Sequence, residues 1–173
     1  MKRISFKDSE GLYLTQAVLS GRKTMTRRIA YRNDVYRVKY EVGDVVAIQQ
    51  AYRDIPAIAL SSSYDCRELR KSAGWTNKMF VKAELMPHHI RITDVRVELL
   101  QDISGEDCMR EGVQPVWNTT TKPHSVSSYY FDGADYVYAT PSKAFAALID
   151  KVSGRGTWDS NPLVWVYSFE LVD

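Results

Sequence analysis

The chain has 173 residues, 45% of them hydrophobic, and a formal net charge of +2. That length and apolar content are enough for one sizeable core, so we expect a single domain over residues 1–173. No stretch approaches the roughly 20 apolar residues that cross a bilayer, and the first residues lack the apolar run of a secretory signal, which predicts a cytoplasmic protein with no membrane partner. Cys66 and Cys108 have no Cys or His nearby at metal-ligand spacing, so we expect reduced thiols and neither a disulfide framework nor a metal site.

Charge is segregated along the chain. Residues 22–39 contain seven basic residues and one acidic residue, whereas the rest of the chain contains 16 basic and 20 acidic residues. A basic segment on a mildly acidic body is typical of a protein that binds a phosphate-bearing ligand, because neutralised phosphates release counterions. A solvated basic loop that keeps the protein soluble is the alternative interpretation.

The first half of the chain predicts one short helix followed by strands. The helix lies within residues 9–21 and ends at Gly21, a residue that readily adopts a left-handed cap conformation. Residues 45–48 form a short apolar run after a turn, and residues 79–85 and 90–100 alternate as half-buried strands do. The apolar residues of the last segment shift phase between positions 92 and 95, which predicts a β-bulge.

The second half predicts two helices and a final strand. Ser104 has the spacing of a helix-capping residue, and the helix it begins ends before Gly112. A longer helix begins at Pro141, carries one apolar stripe and ends at Gly154. Residues 163–172 are rich in β-branched and aromatic residues and predict a strand.

Two polar stretches, residues 51–77 and 114–139, predict loop excursions over the surface. The remaining strands and helices show no regular βαβ alternation. This pattern favours a mixed α+β barrel over a doubly wound sheet.

Three segments of the chain carry a family resemblance. They are residues 21–28, G-R-K-T-M-T-R-R; residues 40–44, Y-E-V-G-D; and a C-terminal set of residues 92–104, 111–112, 145–150 and 161–169. In this order they resemble the ASCH family of the PUA-like superfamily, and the ending around residues 157–162 resembles a bacterial and prophage branch of it. The resemblance implies an α+β fold, a small PUA-like β-barrel flanked by short helices, with a cleft lined by residues 21–28.

The resemblance also implies a catalytic set. Short ASCH relatives remove the acetyl group of N4-acetylcytidine with a Lys, a Thr and a Glu, which correspond to Lys23, Thr26 and Glu111. In that scheme Lys23 takes the proton of Thr26, the hydroxyl attacks the amide carbonyl, and Glu111 protonates the leaving nitrogen. Each residue also has a non-catalytic interpretation: Lys23 as a phosphate contact, Thr26 as a backbone cap, and Glu111 as a solvated helix-end residue.

Ligand-binding residues are expected around this set. Arg22, Arg27 and Arg28 carry planar guanidinium groups suited to phosphate or carboxylate, and Tyr40 offers a stacking face, although tyrosines are also ordinary core residues. Many relatives have an Arg-Glu pair where this chain has Gln49 and Gln50, which predicts a different choice of ligand or activity.

The expected partner is RNA or a modified nucleoside, with no cofactor and no metal. Three functions follow from the resemblance. One is an N4-acetylcytidine-type amidohydrolase, the second is a ribonuclease, and the third is a non-catalytic module that binds RNA or a protein partner.

Overall fold

The computed structural model describes residues 1–30, 38–60, 66–120 and 122–173, apart from the side chain of Cys66. The strands are β1 (Lys2–Ile4), β2 (Asp8–Ser9), β3 (Leu12–Tyr13), β4 (Met25–Ile29), β5 (Val45–Ile48), β6 (His89–Leu99), β7 (Gln114–Asn118), β8 (Ser125–Tyr130) and β9 (Leu163–Leu171). The helices are α1 (Leu14–Leu19), α2 (Ala57–Leu60), α3 (Cys66–Lys71), α4 (Gly105–Arg110), α5 (Pro141–Ser153) and α6 (Thr157–Ser160).

A five-stranded sheet of order β1-β5-β6-β9-β4 forms the centre of this mixed α+β structure. Strand β1 runs parallel to β5, and the other neighbours are antiparallel. Among the described residues no ladder joins the two edge strands, β1 and β4, so the closed barrel stays a prediction. The long β6–β9 ladder changes register between Ile92 and Asp94, which confirms the predicted bulge.

Helix α5 covers the main core, and its capping follows the sequence signals. The Thr140 hydroxyl accepts a hydrogen bond from the backbone N–H of Lys143, and Pro141 occupies the first turn. The helix buries Phe145 and Leu148 against residues of the sheet and of α4. Because this stripe recurs every three to four residues, one face of the helix is apolar and the other stays in solvent.

Helix α4 also forms as predicted. The Ser104 hydroxyl accepts from the backbone N–H of Asp107, and the helix ends at Glu111 followed by Gly112, whose φ is 113°. A positive φ of this kind favours glycine, and it turns the chain sharply after Glu111.

Several elements differ from the sequence predictions. Helix α1 begins only at Leu14, because residues 8–13 form a small antiparallel hairpin. The strand predicted over residues 79–85 is wrong: residues 78–80 and 83–85 form two 3₁₀ turns, with Phe80 exposed and Val81 buried. A short apolar run does not by itself distinguish a strand from other buried segments. In this segment tertiary packing determines the backbone conformation.

The two predicted excursions contain ordered structure. Residues 51–60 and 66–86 build a second apolar cluster of their own, in which Tyr52, Leu60, Leu69 and Met86 are buried. Residues 114–130 contain the hairpin β7–β8. Within the described ranges, no helix is long and apolar enough to cross a membrane.

Candidate ligand-binding cleft

A cleft of about 1170 Å³ opens between strands β1 and β4, helix α5 and residues 38–40. Small-molecule pockets typically occupy about 300–1,000 Å³, so this cleft has room for a ligand larger than a nucleoside. Of the residues predicted to form a site, these line it: Lys23, Thr26, Arg27, Arg28, Tyr40 and Glu111. Arg22 does not; it is exposed and pairs with Asp132 at 3.0 Å.

Lys23 and Glu111 form a buried ion pair in the wall of this cleft. The Lys23 ammonium donates to Glu111 Oε2 at 2.5 Å and to the Glu111 backbone oxygen at 2.8 Å. The two residues are only 3% and 4% exposed. Backbone hydrogen bonds hold them together, since the Lys23 N–H donates to the carbonyl of Ala17, and the Thr24 N–H donates to the carbonyl of Arg110.

Burial lowers the pKa of Lys23, and this effect outweighs the attraction of Glu111. The positive charges of Arg28 and Arg27 lower it further. Desolvation disfavours a charged amine, so the proton on Lys23 is easier to remove than that of a solvated lysine.

Arg27 has no hydrogen-bond donor left for a ligand. Its Nε and Nη2 both donate to Glu98 Oε1, Nη2 also donates to Asp107, and Nη1 donates to Glu111 and to the Met25 sulfur. These five bonds match the five N–H groups of a guanidinium. The ligand contact predicted for Arg27 therefore gives way to a structural contact with three carboxylates.

Arg27 belongs to a larger cluster of alternating charges. Arg96 donates to Asp94, Glu98 and Asp107, at 3.0, 3.1 and 2.5 Å. The cluster thus runs from the buried Lys23–Glu111 pair, through Arg27, to the more exposed Arg96.

Thr26 and Arg28 lie on the other face of β4 from Arg27, because successive side chains of a strand alternate. In the β4–β9 ladder Thr26 is opposite Tyr167, and Arg28 is opposite Trp165. Thr26 is 5% exposed. No hydrogen bond in the described structure joins its hydroxyl to Lys23 or Glu111, although all three residues line the same cleft.

Arg28 and Tyr40 meet on one side of the cleft. Arg28 donates to the backbone oxygen of Ser5, and its guanidinium lies 5.9 Å from the Phe6 ring centroid. Water reaches Arg28, but protein surrounds it on most sides, and this desolvation lowers its pKa. Tyr40 donates to the Arg3 backbone oxygen at 2.6 Å, and burial raises its pKa to about 12.

Three further residues line the cleft and were not predicted as ligand contacts. Lys39 extends beside Tyr40, with Nζ 5.3 Å from the ring centroid. The Tyr167 ring packs edge-on against that of Tyr40 at 5.1 Å. The Trp165 indole N–H is buried without a hydrogen-bond partner in the described part of the chain. The signals for Lys39 were its place at the end of the basic segment of residues 22–39 and beside the Y-E-V-G-D segment.

Gln49 and Gln50, the two amides that follow β5, are both buried. Gln49 lines the cleft and donates to the Lys78 backbone oxygen at 2.9 Å. Gln50 borders a separate, smaller cavity, and its Oε1 has no described partner. Gln49 is therefore the member of this pair that is placed to affect the ligand.

Some predicted residues lie outside the described structure. Arg32 and Arg37 of the basic segment belong to residues 31–37, which are not among the described ranges. Among the residues that are described, no cluster of three or more His, Cys, Asp or Glu side chains has a geometry that could hold a metal ion.

Fold and site together define a mixed α+β domain with a predominantly basic cleft, whose wall contains a buried Lys-Glu pair. No family model and no curated protein sequence matches the chain. Among solved structures, the chain is similar to an ASCH domain from Lactobacillus crispatus JV V101, with 12% identity, a TM-score of 0.46, and 91% of this chain and 69% of that chain covered. It is also similar to a protein of Enterococcus faecalis V583 assigned to the family DUF984, with 17% identity, a TM-score of 0.46, and coverage of 94% and 69%. The first of these carries the name of the family that the three sequence segments resemble.

Proposed function

We propose that the chain binds RNA or a modified nucleoside in the basic cleft, and that Lys23, Thr26 and Glu111 hydrolyse an acylated nucleobase amide of the N4-acetylcytidine type. The proposal takes the barrel implied by the ASCH resemblance as the scaffold of the cleft. The observation that carries it is the Lys23–Glu111 pair, buried at 2.5 Å in a cleft wall that also contains Thr26.

A buried pair of this kind supports both acid and base chemistry. Burial lowers the pKa of Lys23, and a shift of its proton along the hydrogen bond to Glu111 Oε2 leaves a free amine on one side and a carboxylic acid on the other. The amine is the form of Lys23 that can accept the Thr26 proton. The acid is the form of Glu111 that can protonate a leaving nitrogen.

The reaction then proceeds in two stages. The Thr26 oxygen attacks the amide carbonyl while its proton passes to Lys23, and the carbon–nitrogen bond breaks as Glu111 gives its proton to the nitrogen. Water hydrolyses the acyl-threonine ester in the second stage and restores the hydroxyl. Ligand binding has to bring the amide between Thr26 and the pair, as catalytic contacts often tighten only in the complex.

The test uses the purified full chain with N4-acetylcytidine and, separately, with mixed-sequence single-stranded RNA. Products are followed by chromatography for the wild type, Thr26→Val and Thr24→Val. Valine matches the shape of threonine without the hydroxyl. Thr24 is a matched control, since it lies in the same motif but does not line the cleft.

Deacetylation that is lost in Thr26→Val and kept in Thr24→Val supports the amidohydrolase. RNA cleavage with the same pattern instead assigns the residues to a ribonuclease. Saturable RNA binding without either product leaves a binding module. The absence of both RNA binding and turnover contradicts the proposal as a whole.

A further inference from the structure

The cations that line the cleft differ in their partners. The set consists of Lys2, Lys7, Lys23, Arg27, Arg28, Lys39 and Lys78. Ion pairs to acidic side chains occupy Lys2, Lys23, Arg27 and Lys78. Lys7 donates to the carbonyls of Lys151 and Val152 at the end of α5, where a cation complements the helix dipole.

Arg28 and Lys39 remain without an acidic partner in the described structure. Arg28 uses one nitrogen on the Ser5 carbonyl, and its other N–H groups have no described acceptor. The Lys39 ammonium lies 5.3 Å from the centroid of the Tyr40 ring and has no hydrogen-bond acceptor among the described residues. Two cations of one cleft therefore keep donors available for an anion.

Arg28 and Lys39 line the same cleft and interact electrostatically. Burial lowers the pKa of Lys39, and the charge of Arg28 lowers it further, followed by that of Arg3. Arg3 donates to the Val81 carbonyl, and it too has no acidic partner among the described residues. Glu111 attracts Arg28 but forms its ion pairs with Lys23 and Arg27. A bound anion would therefore still offset the repulsion between Arg28 and Lys39.

We infer that Arg28 and Lys39 form a phosphate-binding subsite of the cleft, so that its ligand is a nucleotide or a phosphate-bearing RNA segment rather than an unphosphorylated nucleoside. This inference rests on the proposed function. A guanidinium binds two phosphate oxygens at once, and an ammonium adds a point charge, which together suit a phosphate at the mouth of a nucleoside site. The cleft volume of about 1170 Å³ leaves room for it.

The experiment compares the affinities of cytidine, cytidine 5′-monophosphate, cytidine 3′-monophosphate and a short unphosphorylated RNA, by calorimetry at one fixed ionic strength. Variants are Lys39→Gln, Arg28→Gln and the charge-matched control Lys143→Gln. Lys143 is exposed on α5 and does not line the cleft.

In the wild type we expect at least one monophosphate to bind about tenfold or more tightly than cytidine, the range of a charge-assisted hydrogen bond. Lys39→Gln and Arg28→Gln should each lower the affinity for the monophosphates more than the affinity for cytidine and so remove most of this preference, while Lys143→Gln keeps it. Preference for the RNA over both monophosphates, lost in the same two variants, also supports the subsite and assigns it to an internal phosphodiester.

Equal affinity for cytidine and all phosphate-bearing probes overturns the subsite and leaves the proposed function standing. A phosphate preference that survives in both variants overturns it too, because the anion then binds elsewhere. If no probe binds while N4-acetylcytidine is still hydrolysed, only this inference fails; if hydrolysis and RNA binding are absent as well, both fail.

Discussion

Arg27 and Arg28 are neighbours in the sequence, but the structure predicts a much larger loss of stability for Arg27→Met than for Arg28→Met. Methionine keeps an unbranched stem and removes the charge. The Arg27 side chain is fully buried and contacts Glu98, Asp107 and Glu111, whose side chains are 18%, 15% and 5% exposed. Arg28 is solvent-accessible and donates to a single carbonyl oxygen.

The loss of unfolding free energy in Arg27→Met depends on which cationic partners the three acids keep. Removing one partner of a buried ion pair costs about 3–5 kcal/mol, because the other charge is left buried without compensation. Here Glu111 keeps Lys23, while Glu98 and Asp107 keep Arg96. We therefore expect the lower end, about 3 kcal/mol of unfolding free energy.

Arg28→Met should change stability by about 1 kcal/mol or less, since one hydrogen bond is lost and a desolvated, repelled charge is also removed. At roughly 2–4 °C per kcal/mol for a chain of this size, the two variants should differ in Tm by about 4–12 °C. Urea denaturation supplies the free energies, and Arg27→Lys is the control that keeps charge but loses the planar group. The reasoning is refuted if Arg27→Met unfolds within about 1 kcal/mol of the wild type, or if Arg28→Met costs as much as Arg27→Met.

Two further predictions concern stability. The pKa of Tyr40 is raised to about 12 in the folded protein, chiefly by burial. The stability that comes from this shift is complete below the unfolded pKa of 10.0 and is lost as the pH rises toward 12. The stability advantage of the wild type over Tyr40→Phe, measured by urea denaturation, should thus shrink between about pH 10 and pH 12; a constant difference contradicts this. Gly133 has a φ of 79°, and an added Cβ would lie 2.6 Å from the Gly11 carbonyl. Gly133→Ala should therefore lower stability by about 2 kcal/mol or more, measured by thermal unfolding. The control Gly154→Ala should cost less, because Gly154 also has a positive φ but an added Cβ there meets open space.

The local signals in the sequence predicted much of the fold. Ser104 and Pro141 mark helix starts by capping and by a fixed φ, and both effects act within a few residues. The bulge near Ile92 followed from the change in apolar phase. By contrast, the cluster around Tyr52 forms only because distant short segments pack together, which no local periodicity reports.

The candidate site, too, could be predicted from the sequence only in part. The motif over residues 21–28 indicated which segment lines the cleft, and four of its eight residues do: Lys23, Thr26, Arg27 and Arg28. Which arginine is available to a ligand could not be predicted, because the partners of Arg27 lie 71 to 84 positions away. The strand β4 was also not predicted, since adjacent charges hide its alternation.

The buried charges fix the register of this edge strand, and the register in turn assigns the roles of Arg27 and Arg28. A slip of β4 by one residue would turn Met25, which is fully buried, toward the face now held by Thr26, and would take Arg27 away from its three acids. An apolar strand face alone would resist the slip only through the burial of Met25 and the partial burial of Ile29. The carboxylate cluster adds a directional constraint, because its acids accept from a planar group at one position only. Hence the ion cluster that leaves no donor of Arg27 for a ligand also keeps Arg28 and Thr26 on the opposite face of β4.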